Sequence, residues 1–183
     1  MRTILCCAVL LVSAQLSAYE LIGAKFQSTV ITWHLGKAPA RVRKAVEQAF
    51  RDWSEVSPLV FVEVSSGANL NIFFDKQGGP VNDVLATSIT RLHDERIIDS
   101  DIIINARDYR WFGRKSYDLR SVLCHEIGHA LGLEHNENPS SLMYATFVPG
   151  EVRAFTEDDI LGIIALYGNI KASKEEVALA LTF

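Results

Sequence analysis

Between Pro39 and Pro58 the apolar residues fall at Val42, Ala45, Val46, Ala49, Phe50 and Trp53, a spacing of three and four that lines one face of an α-helix. The two prolines bracket that helix, since proline is tolerated at a helix start and ends one when it follows. Elsewhere the period shortens. Val30, Ile31 and Trp33 predict a first strand, and Leu59 to Val64 and Leu70 to Phe74 predict two more around the turn residues Ser65-Ser66-Gly67. The run Asp101-Ile102-Ile103-Ile104-Asn105 predicts a buried strand. Asp118 is placed to cap a second helix, and Thr156 with Asp159 three residues on forms a capping pair that opens a last one. Helices and strands in this order, without an internal repeat, predict an α+β domain.

The 183 residues carry a formal net charge of −4, which supports one domain and argues against a nucleic-acid partner, because a polyanion calls for a basic face. Residues 1–18 read as a secretory signal peptide. Arg2 precedes an apolar run from Ile4 to Val12 too short to span a bilayer, and small residues lead to a cut after Ala18. A retained anchor is the alternative. With the signal removed, nothing later predicts a membrane segment, and the mature chain is expected to be secreted and monomeric. Cys6 and Cys7 would leave with the signal, so Cys124 would remain as a small packed hydrophobe without a disulfide partner.

The chemistry concentrates in His125-Glu126-Ile127-Gly128-His129-Ala130-Leu131-Gly132-Leu133-Glu134-His135. On a helix, His125 and His129 share a face and converge on one metal ion. Gly132 can take the left-handed backbone that ends a helix and turns the chain back to bring in His135. Three protein ligands leave a coordination position open for water, as in a catalytic zinc site, with Glu126 placed to accept the water's proton. The pattern therefore predicts peptide-bond hydrolysis with Glu126 as general base. The competing class is a catalytically silent zinc-binding homologue acting as a binding or decoy module; loss of Glu126 or of a histidine would signal it, and all four residues are present.

With the downstream Ser141-Leu142-Met143-Tyr144, this motif resembles the matrixin branch of the metzincins, the matrix metalloproteinases. The likeness extends to Tyr19 through Phe26, Phe50 through Leu59 and Asp158 through Gly168. It implies a catalytic domain over residues 19–168, followed by a short tail over 169–183. It also implies a twisted, mixed five-stranded sheet with three helices, zinc in the cleft between upper and lower subdomains, and Met143 as an apolar floor beneath the histidines. On spacing alone, Met143 could equally fill a gap in the core. Substrates of such enzymes bind extended along an edge strand, whose start Leu85-Ala86-Thr87-Ser88 resembles, so Leu85 and Ala86 are candidates for backbone contact. Ser121 matches the position that sets the depth of the S1′ pocket, and Ala145 and Phe147 match its wall. Tyr19 would present a new amino terminus to Asp158, with Asp159 as second choice and as a partner of the Met-bearing turn. The bland alternative is that both are first-turn carboxylates favouring the helix dipole.

Departures from the family narrow what is carried over. Thr87 and Asp101 stand where ligands of a second, structural zinc are expected, and the preceding loop is shortened to about residues 75–80, so a single catalytic zinc is expected. Calcium is left open: Asp75, Asp83, Asp94, Asp99 and Asp101 offer oxygen ligands, and a solvated acidic loop is the alternative. Neither a propeptide nor a cysteine-switch motif is read between the signal and Tyr19, so no zymogen cleavage is expected, and no haemopexin-like segment is read after Gly168, so recognition of large fibrillar substrates through a separate domain is not expected.

Overall fold

The computed structural model describes residues 19–75 and 84–169; the signal-peptide reading, Asp83, most of the shortened loop and all but Asn169 of the tail lie outside these. Five strands, β1 (Val30–Leu35), β2 (Val60–Glu63), β3 (Leu70–Asp75), β4 (Ala86–His93) and β5 (Arg96–Asn105), form one sheet in the order β2-β1-β3-β5-β4. The first four in that order run parallel, and β4 is an antiparallel edge strand hairpinned onto β5. Three helices complete the fold: α1 (Ala40–Val56), α2 (Leu119–Leu131) and α3 (Glu157–Tyr167). This is the α+β architecture expected from the sequence.

Each element follows its pattern. The six apolar positions read for α1 are all buried. Ile72 of β3 and Ile102 and Ile104 of β5 are fully buried in two of the three inner strands. The indole N–H of Trp53 donates to the Cys124 carbonyl at 3.0 Å, which ties α1 to α2 through the core. Asp118 caps α2 by accepting from the Ser121 N–H at 2.8 Å. The pair Thr156 and Asp159 forms the reciprocal capping box of α3.

Two glycines of α2 decide how closely other segments approach it. Gly128 leaves room for Met143: a Cβ there would lie 2.5 Å from the Met143 sulfur. Gly132 ends the helix in the left-handed region, at φ 112°, and its N–H bonds back to the carbonyls of the last turn. The amino-terminal segment then crosses this helix end, with Ile22 N–H donating to the Gly132 carbonyl and Glu134 N–H to the Glu20 carbonyl. A Cβ on residue 132 would lie 2.5 Å from the Ala24 carbonyl oxygen. Gly132→Ala is therefore expected to lose about 2 kcal/mol or more, combining left-handed strain with that collision. A Tm unchanged from wild type in a thermal melt would refute this account of the helix end.

Candidate metal centre

Helix α2 brings His125 and His129 one turn apart, and the reversal at Gly132 returns His135 to the same point. One ring nitrogen from each lies within 4.8 Å of the others, and among the described residues this is the group able to hold a metal ion. Two of the rings are fixed by their outer nitrogens. His125 Nδ1 lies 2.8 Å from the Leu142 carbonyl, and His129 Nδ1 lies 2.9 Å from the Leu133 carbonyl. A carbonyl only accepts, so in each ring Nδ1 carries the proton and Nε2 presents a lone pair. The two Nε2 atoms face each other at 3.0 Å. Two neutral acceptors at that distance repel unless a cation stands between or beside them, and three nitrogen donors suit zinc.

Burial prepares these groups for ligation. His125 is 4 % exposed and Glu126 6 %. Desolvation, with the neighbouring His129, pushes His125 down to about 3, and desolvation lowers His129 as well, so both rings are neutral at physiological pH. The same burial pushes the Glu126 carboxyl up to about 7, opposed in part by a hydrogen bond from Ser88.

Asp159 supports the centre from below. Its carboxylate, 2 % exposed, accepts from Ser141 Oγ, from the N–H groups of Leu142 and Met143, and from both N–H and hydroxyl of Thr156. These bonds fix the turn that carries Met143, and the Leu142 carbonyl of that turn is the one that orients His125. The Met143 side chain lies against Gly128, on the helix segment between His125 and His129.

A cleft of about 760 Å³ opens over the histidines, and Leu85, Ala86, Ala145 and Phe147 line it together with His125, Glu126, His129 and His135. The Phe147 ring stands edge-on to His125, 5.4 Å between centroids. Ser121 lies elsewhere: it is buried, its hydroxyl donates to Asp118 at 2.6 Å and accepts from the Arg153 N–H at 2.9 Å, and it does not line the cleft. The residue backing the wall is Arg153, which the sequence reading did not single out. Its side chain is 4 % exposed, its guanidinium sits 4.0 Å from the Phe147 ring centroid, and it donates to the carbonyls of Tyr144 and Thr146 and to Glu151. At Leu85 the carbonyl accepts from Asn105 N–H within the sheet, so by strand alternation the backbone groups of Ala86 and Ser88 face the open edge.

Tyr19 packs against Gly162 of α3, four residues after Asp158 and on the same helical face. Asp101 accepts from Asn71 and Arg91, Asp99 from Arg91, and Asp94 pairs with His93. Cys124 is buried, and burial pushes its thiol up, which keeps it unreactive.

Residues 25–168 match the sequence profile of the family described as Matrixin. The chain is 32 % identical over 156 residues to matrix metalloproteinase-20 of Homo sapiens, covering 79 % of this chain and 32 % of that protein. It is 32 % identical over 160 residues to neutrophil collagenase of Homo sapiens, covering 79 % and 33 %, and 36 % identical over 134 residues to interstitial collagenase of Sus scrofa, covering 69 % and 28 %. It thus spans about a third of the length of these relatives.

The lowered imidazoles make the metal-free fold acid-sensitive. Unfolded histidines take protons below about 6.5 that folded His125 and His129 refuse, so stability present above that pH is lost as it falls toward 3. Glu126 acts in the opposite sense, because its cost is full above about 7 and relieved as pH falls to 4.5. Two imidazoles outweigh one carboxyl, so the metal-free protein's Tm should fall between pH 6.5 and 4. Zinc at neutral pH should raise it, with one ion per chain by elemental analysis, and His129→Ala should abolish the rise. Two stoichiometric ions, or a zinc-dependent rise retained in His129→Ala, would contradict this assignment.

Proposed function

Because the chain belongs to the matrixin family, we propose that it is a secreted zinc-dependent endopeptidase that cleaves extended peptide segments, with Glu126 as general base. The observation that carries this reading is the pair of Nε2 lone pairs 3.0 Å apart beside a buried glutamate at the floor of an open cleft. His125, His129 and His135 would hold the ion. When bound, zinc supplies a Lewis acid that polarises the scissile carbonyl and acidifies the attacking water. Glu126 receives the water's proton at its free carboxylate oxygen and returns it to the departing amine nitrogen. The open backbone edge at Ala86 and Ser88 aligns the peptide as an added strand. Val122, Ala145 and Phe147 surround the apolar side chain that follows the cut, while Arg153 holds their wall in place. No described helix is long and apolar enough to cross a membrane.

Profiling a peptide library should show cleavage before apolar residues of the size of Leu or Met. Glu126→Ala should reduce kcat at least ~100-fold, as expected for removal of a general base, while zinc stays bound. Full activity in Glu126→Ala, or preference for charged residues after the cut, would refute the assignment.

We further propose that Tyr19, once it is the first residue, pairs its ammonium with Asp158. Tyr19 already lies on the helical face that carries Asp158, and both oxygens of Asp159 are taken by other donors. Two extra amino-terminal residues should lower activity, and the difference should vanish in an Asp158→Asn background. Equal activity in all four proteins would exclude the pair.

A further inference from the structure

Ser88 makes a contact that neither the histidine cluster nor the cleft wall requires. From β4 its Oγ reaches α2, 2.7 Å from the main-chain oxygen of Glu126 and 3.0 Å from Oε2 of the same residue. A hydroxyl has one proton, so these two acceptors share a three-centred bond. Among the described residues Ser88 is the only hydrogen-bond partner of the Glu126 side chain, and Oε1 has none. A tie between strand and helix alone would be met by the main-chain oxygen. The second distance engages the working carboxylate.

We propose that Ser88 is a positioning residue for Glu126: it pins Oε2 toward β4 and leaves Oε1 as the oxygen that receives the proton of the attacking water. This rests on the protease reading above. Three observations support it. Glu126 is almost fully buried apart from the face it turns to the cleft, so little solvent surrounds its carboxylate and the hydroxyl that meets Oε2 has most influence on its orientation. Ser88 also lines the cleft, so its hydroxyl acts at the reacting face of Glu126. Finally, an oxygen already accepting a proton donor is the poorer of the two for collecting another, which directs transfer to Oε1. The proton moves from water to Oε1 and then to the amine nitrogen, and Ser88 keeps its own throughout.

The zinc-loaded wild type, Ser88→Ala and Ser88→Thr proteins provide the test, since threonine keeps the hydroxyl and suits a strand. In Ser88→Ala we expect kcat to fall about tenfold with KM within about twofold of wild type and one zinc retained, and Ser88→Thr to restore most of the loss. Crystal structures should show one Glu126 carboxylate position in wild type and Ser88→Thr, and several in Ser88→Ala. Unchanged kcat, a rise in KM at constant kcat, loss of zinc, or a single identical carboxylate position in all three structures would each overturn the proposal. If wild type cleaved no peptide, the protease reading would fall, and the carboxylate positions would still decide whether Ser88 aims Glu126.

Discussion

The centre depends on one buried carboxylate that is not itself near the reacting atoms. Asp159 lies at the start of α3 and receives five donors, three of them from the turn Ser141 to Met143. A buried charge is tolerable only when its lone pairs are filled, so the turn and the start of α3 must adopt compatible conformations together. The consequence passes outward through Leu142. Its N–H is held by Asp159 and its carbonyl holds His125 Nδ1, so the ring's tautomer and direction are set by a residue on another helix. Met143, fixed by the same bonds, fills the space that Gly128 leaves open beneath the ligand-bearing turn.

Above that foundation, one cause does two jobs with opposite signs. Removing His125 and Glu126 from water disfavours whichever form is charged, so the imidazole falls far below neutrality and the carboxyl rises toward it. Neutral imidazoles are what a cation needs as ligands, and a carboxylate deprived of water is the more basic for it. No separate device is required for each. Two of the three rings, His125 and His129, are also oriented by their Nδ1 bonds to the Leu142 and Leu133 carbonyls.

What the sequence disclosed divides along the range of the interaction. The helix face of α1, the cap at Asp118, the left-handed Gly132 and the convergence of three histidines all depend on residues close in the chain, and each is present as read. The edge strand and the cleft wall at Ala145 and Phe147 were reached through family likeness. Ser121 shows where such transfer fails. Its position on α2 is set locally, but its surroundings are set by the loop that folds back from residue 148 and delivers Arg153 against it. An arginine in a polar loop reads as solvated, and nothing in its neighbours marks it as a buried prop for Phe147 and two carbonyls. Ser88 was hidden for a related reason: its face is known only once the register of β4 against β5 is known.

That register shows how a single edge strand can serve several partners. Side chains alternate across a strand with period two, and backbone groups alternate between its two sides in step with them. In β4 the backbone at Leu85 therefore turns into the sheet and meets Asn105, while that at Ala86 and Ser88 turns to the open edge. The Ser88 side chain meanwhile points inward to Glu126, and Arg91, at an odd position, reaches Asp99 and Asp101 from the outer face. A slip of one residue would send Ser88 outward, turn Arg91 toward the core and turn the backbone of Ala86 and Ser88 into the sheet at once. The irregularity in this hairpin falls between Arg91 and Leu92, so the pairing from Ala86 to Arg91 stays in one uninterrupted register. The register is thus marked by two ion pairs of Arg91 on one face and by the glutamate's hydroxyl partner on the other, so the alignment of the cleft and the pairing of the sheet depend on the same register.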